Sequence, residues 1–109
     1  MTNRFVAFLI IAMMLKVTVT AYHGPCKICR TRARTYTGRS ASLPGLAVDP
    51  RLIPLGSKVK IKDRWYIADD IGPHGRHVDI RMQKSRLAHK KVKRFGRHRM
   101  TIVVKRYHR

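Results

Sequence analysis

Short runs of strand-forming residues recur along this chain at Leu46 to Val48, Lys58 to Lys62, Arg64 to Ala68, His77 to Met82 and Met100 to Tyr107, parted by Pro-Gly or Gly-rich turns. Such spacing points to a small, closed sheet. Lys16-Val17-Thr18-Val19-Thr20-Ala21-Tyr22 adds the alternation of a half-buried strand and stops at His23-Gly24-Pro25. A long basic loop is expected from Cys26 to Pro44. Between the last two runs, Ser85 is placed to cap a short helix whose Ala88, Val92 and Phe95 share one face and which ends at Gly96. With 109 residues the chain holds one domain and a small core. The expected class is mainly β with one short helix.

The amino terminus has a different character. Arg4 precedes the apolar run Phe5 to Leu15, a length that suits a secretory signal and falls short of a membrane span. Residues 1–16 are therefore expected to be a signal peptide or an uncleaved signal anchor, with the barrel domain at 17–109. Val19 and Ala21 satisfy the small-residue rule for cleavage, but a cut there would remove part of the alternating strand. The alternative is a buried amino-terminal helix or strand.

Charge narrows the partner. Twenty-five Lys and Arg face five acids, a net +20, which calls for a polyanion. The acids are all Asp, at 49, 63, 69, 70 and 79, so the flanking basic segments carry no counter-charge of their own. This clustering is the first sign of a site. The carboxyl-terminal bases Lys90, Lys91, Lys93, Arg94, Arg97, Arg99, Lys105, Arg106 and Arg109 would neutralise phosphates in a cytosolic protein. Export disfavours nucleic acid and favours peptidoglycan and anionic wall polymers; a simply solvated face is the duller account.

Three segments carry the chemistry: Leu46-Ala47-Val48-Asp49-Pro50-Arg51-Leu52-Ile53-Pro54-Leu55-Gly56, Ile67-Ala68-Asp69-Asp70-Ile71-Gly72 and His77-Val78-Asp79-Ile80. Together they resemble the AVDP..IPLG, AEDTGG and IDI signatures of the three-aspartate domain found in membrane-bound lytic transglycosylase A and in stand-alone muralytic proteins. Thr20-Ala21-Tyr22, Ser40-Ala41-Ser42 and Phe95-Gly96 extend the likeness over nearly all of 17–107. The resemblance implies a six-stranded double-psi β-barrel, with Asp49, Asp70 and Asp79 in one groove and Asp79 in the place of the catalytic acid. Candidate substrate-binding residues are Tyr22, Ser40, Gly72 and Arg76. Ile71 and Pro73 depart from the DTGG pattern, and the loop from Asp70 to Asp79 is shorter than the family's.

Glycoside cleavage needs a carboxylic acid to protonate the leaving oxygen, and hydrolysis needs a second carboxylate. A lytic transglycosylase, as the resemblance implies, needs one carboxyl, because the sugar's own hydroxyl attacks and a 1,6-anhydro product forms. Asp79 fits that double role. Duller readings accompany each acid: Asp49 as a turn-former before Pro50, Asp69 and Asp70 as a solvated turn, and Asp63 in a hairpin turn without a site role. Cys26 and Cys29 read as a local disulfide or thiol pair, with a zinc set including His23 or a redox role as weaker readings. No cofactor and no metal is expected. The expected protein is an exported, monomeric cell-envelope enzyme, with membrane anchoring through residues 5–15 a further option. A silent wall-glycan-binding barrel, a nucleic-acid-binding protein and a structural envelope or virion component are the rivals.

Overall fold

The structure is a computed structural model that describes residues 9–23, 34–82 and 88–108. Six strands, β1 (Leu9–His23), β2 (Leu46–Val48), β3 (Lys58–Ile61), β4 (Arg64–Ile71), β5 (His77–Met82) and β6 (His98–His108), and one helix, α1 (Ala88–Phe95), make up the fold. The strands close into a barrel in the order β1-β5-β2-β4-β3-β6. Pairs β1/β5 and β2/β4 are parallel and the others antiparallel, a mixed barrel compatible with the double-psi arrangement. Cys26, Cys29 and Ser85 lie outside the described residues.

Alternation in the sequence decides which side chains line the interior. Val17 and Val19 on β1, Leu46 and Val48 on β2, Val59 and Ile61 on β3, Val78 and Ile80 on β5, and Ile102 and Val104 on β6 are all buried in one cluster. Branched side chains dominate it, as suits a pleated surface with little room. Burying each Val or Ile contributes about 1.5–3 kcal/mol. Ile53, in the loop after β2, plugs the same cluster.

Three strands are longer than the residue pattern predicts, β6 by its ends at His98 and His108. β1 starts at Leu9 rather than Lys16, because β6 pairs with it antiparallel from Leu9↔His108 to Val19↔His98. Residues 9–15 of the apolar run thus belong to β1, with Met13 and Leu15 packed on the core and Met14 72% exposed. β4 runs on to Ile71, so Asp69 and Asp70 stand on a strand and not in a solvated turn. The expected basic arm is the helix α1 followed by β6. Gly96, at φ +70°, ends the helix where a left-handed residue is needed, and Lys93 and Arg94 in its last turn suit the negative end of the dipole. Lys62, in the β3–β4 turn, also takes positive φ, 56°, at a cost of about 1–2 kcal/mol for a residue with a side chain.

Candidate functional site: the aspartate face of the barrel

Register places the site. Thr20 on β1 pairs with Asp79 on β5, Asp79 pairs with Ala47 on β2, and Ala47 pairs with Asp70 on β4. Partners on adjacent strands present their side chains to the same face. Thr20, Asp79, Ala47 and Asp70 therefore form one row on the outer side of the barrel wall, with Ala47 covered and the other three partly exposed, backed by the buried Val19, Val78, Leu46 and Val48. Strands lie about 4.8 Å apart, so the two Asp backbones stand about 10 Å apart across Ala47.

Asp70 reaches this row because the β2/β4 register slips. Ala68 is buried, and strict alternation would turn Asp70 inward as well. Instead the pairing steps from Leu46↔Ala68 to Ala47↔Asp70 and skips Asp69. One extra residue on a strand re-aims the side chains beyond it. Both neighbouring carboxylates then meet groups from β1 and β5.

Asp79 sits in a short polar chain. The Thr20 hydroxyl donates to Asp79 Oδ1. With that proton committed, Thr20 Oγ1 accepts from His77 Nε2 at 2.7 Å. His77 Nε2 is itself 4.0 Å from Asp79 Oδ1, and the side chains of His77 and Asp79 are 30% and 27% exposed. Asp79 Oδ2 accepts no hydrogen bond among the described residues. One oxygen is anchored and the other is left without a hydrogen bond among the described residues, on a partly exposed side chain.

Asp70 is held differently. Its Oδ1 accepts the backbone N–H groups of Tyr36 (3.1 Å) and Ile71 (3.0 Å), and its Oδ2 accepts the Tyr22 hydroxyl at 3.3 Å. Tyr22 in turn accepts from Arg81 Nη1 at 3.2 Å. Burial pushes the Tyr22 phenol up to about 12, against the pull of Arg81 toward ionisation.

Beneath this lies an ion cluster. Arg81 Nη1 and Nη2 each meet an oxygen of Asp69 at 2.8 Å, and Arg39 Nη1 reaches Asp69 Oδ2 at 2.8 Å. Arg81 and Asp69 side chains are each only 1% exposed. Arg81 also donates to the Leu43 carbonyl at 2.9 and 2.6 Å, and Arg39 to the Pro44 carbonyl at 2.7 Å, which straps the loop 39–45 over the pair. Burial works against the Arg81 charge, yet the bonds to Asp69 and Tyr22 outweigh it and the guanidinium is held above its usual pKa. Gly45 completes the lid. A Cβ on Gly45 would lie 2.5 Å from Arg81 Nη2 and from Asp69 Oδ2.

Asp49 is engaged as a latch. Its Oδ1 accepts the Arg51 backbone N–H at 3.0 Å and Arg51 Nε at 3.1 Å; its Oδ2 accepts Arg51 Nη2 at 2.9 Å and Gly75 N at 2.7 Å. The Arg51 side chain, then the backbone donors of Gly75 and Arg51, hold this carboxyl far below the usual range. It ties the loop after β2 to the loop before β5, with no hydrogen bond to Asp70 or Asp79. Of the three sequence-derived acids, the register brings Asp70 and Asp79 into one row and leaves Asp49, just past the end of β2, without a strand partner.

The other candidates spread out. Tyr22 stands beside Asp70; Ser40 Oγ contacts Ser42 Oγ at 2.7 Å in the strapped loop. Gly72 and Arg76 are exposed in the β4–β5 loop, where the Arg76 carbonyl accepts Thr18 N at 2.9 Å. Neither the contacts of Thr20 and His77 around Asp79 nor the ion cluster of Asp69, Arg81 and Arg39 is foreseen in the sequence. Parity could have found Arg81: Val78 and Ile80 face inward, so Arg81 shares the side of Asp79, and Pro44-Gly45 marks a close backbone approach. Among the described residues no three His, Cys, Asp or Glu gather as a metal site.

A scan against protein-family models and a search of curated proteins give no match to this chain.

Proposed function

We propose that this protein is a three-aspartate double-psi barrel that cleaves the glycan strands of peptidoglycan as a lytic transglycosylase, with Asp79 as general acid and then base. The observation that carries the proposal is the asymmetry at Asp79: Oδ1 is bonded by the Thr20 hydroxyl, which His77 holds in turn, while Oδ2 accepts no hydrogen bond among the described residues on a side chain 27% exposed, in a row that ends at Asp70. A proton on Oδ2 passes to the glycosidic oxygen as the bond to C1 breaks. The sugar's C6 hydroxyl then closes on C1 and returns its proton to the same oxygen. No second carboxylate is consumed. Asp70, with three donors of its own, keeps Tyr22 and the Tyr36 backbone in place along the groove. Asp49 supports by tying the loop after β2 to the loop before β5.

The likeness in the three Asp-bearing segments supports the family and the substrate, and net +20 suits an anionic wall. Export to the envelope belongs to the same proposal, with residues 9–16 retained as the first half of β1 against β6. Incubation of purified sacculi with the protein, with products identified by mass, tests it. Anhydro-ended fragments are expected, and Asp79→Asn should lower their rate by about 10²–10⁴ while retaining wall binding. New reducing ends would mean hydrolysis, and unchanged cleavage by Asp79→Asn would remove Asp79 from the chemistry.

The silent-binding alternative rests on Asp49, whose carboxylate is fully committed to Arg51 and Gly75. A barrel of that kind binds sacculi and releases no fragments.

A further inference from the structure

The side of the barrel away from the aspartates has its own composition. In the closed order, β3 and β6 lie opposite β2 and β5. Register lays two outward rows across this side: Met14–Val103–Lys60–Trp65 and Ala12–Lys105–Lys58–Ile67, with Lys16 next to Thr101. Their inward neighbours Val59, Ile102 and Val104 are buried, so the rows face out. Met14 is 72% and Trp65 45% exposed. The ammonium groups of Lys105 and Lys60 lie 5.0 and 5.9 Å from the Trp65 ring centre. No acid stands in either row; Asp63 is confined to the β3–β4 turn.

We infer that this face is a docking surface for an anionic lipid bilayer. Two features must be explained together: four Lys without counter-charge, and large apolar groups set between them and left in water. A hydrated polyanion would satisfy the Lys and give Met14 nothing. An anionic bilayer takes both, since its headgroups pair with Lys while Trp sits at the headgroup level and Met enters the acyl boundary. The cation–π contacts hold the Lys ammonium groups around the ring. Docked this way, the protein turns the Asp79–Asp70 row away from the membrane.

Trp65 is the single Trp of the chain, so its emission reports on this face alone. The full-length protein is mixed with phosphatidylglycerol/phosphatidylcholine vesicles and with pure phosphatidylcholine vesicles. Co-sedimentation with the anionic vesicles only, a blue shift of Trp65 emission and quenching by brominated acyl chains are expected. Each Lys beside an anionic surface is worth about fivefold in affinity, so Lys60→Ala/Lys105→Ala should weaken binding about 25-fold. Lys90→Ala/Lys91→Ala removes the same charge from exposed positions on α1 and should weaken binding much less. Equal losses in the two pairs would overturn the assignment, leaving only net charge. Sedimentation without bromolipid quenching would also overturn it. Binding to duplex DNA with a Trp65 shift, and none to vesicles, would give the face to a soluble polyanion instead.

Discussion

Arg81→Met tests whether the ion cluster under the aspartate face holds the barrel together. Met keeps most of the length of the side chain and removes the charge, stranding Asp69 at 1% exposure with Arg39 as its remaining cation. Arg39 is 32% exposed, so water screens that pair and it compensates only in part. Breaking one side of a buried pair costs about 3–5 kcal/mol. The Leu43 carbonyl also loses two donors, which loosens the loop 39–45. For a domain of this size 1 kcal/mol moves the melting temperature by about 4–8 °C, so a drop on the order of 20 °C is expected. Circular dichroism and Trp65 fluorescence melts measure it. Asp69→Leu/Arg81→Met leaves no buried charge and should recover at least half of the loss. If Arg81→Met costs less than about 1 kcal/mol, or if the double variant is as unstable as the two single losses combined, the cluster does not act as a coupled buried pair and the reasoning fails.

Two further outcomes are expected at the same face. Gly45→Ala forces a Cβ against Asp69 and Arg81 while the Gly45 carbonyl stays bonded to Arg81 N at 3.0 Å, so a loss of about 1–3 kcal/mol is expected in urea unfolding; a neutral result would show that the loop yields freely. Tyr22, with its folded-state pKa raised to about 12 from an ordinary 10, favours folding below pH 10 and loses that contribution as pH rises toward 12; Tyr22→Phe should flatten the alkaline limb of a stability profile, and an unchanged limb would count against burial as the cause.

Strand positions were legible where one face is buried and the period is plain. β2 and β5 fall on the expected residues, since Leu46, Val48, Val78 and Ile80 must all point inward. The helix was legible from Val92, Phe95 and the stop at Gly96. The amino-terminal half of β1 was not, because its alternation is lost in continuous apolar residues and only pairing with β6 fixes it. At the site, the sequence singled out Asp70 and Asp79 but treated Asp69 as part of a turn. A register slip depends on partner strands and leaves no local mark, so the choice between adjacent Asp69 and Asp70 for the buried ion pair rests on tertiary structure. Likewise, Thr20 and Asp79 are 59 residues apart and meet only through the parallel β1/β5 pairing.

The gap between Asp79 and Asp70 is a lattice distance. It spans two inter-strand steps, with the three-residue β2 as the middle rail. Backbone hydrogen bonds quantise such a gap: it can take one step or two, about 5 or about 10 Å, and side-chain substitutions on the strands cannot tune it between those values. On the proposed reading, descendants of this barrel that take glycan chains of different thickness must therefore change Ala47 or the 39–45 and 72–76 loops, while the spacing of the two acid-bearing backbones stays fixed.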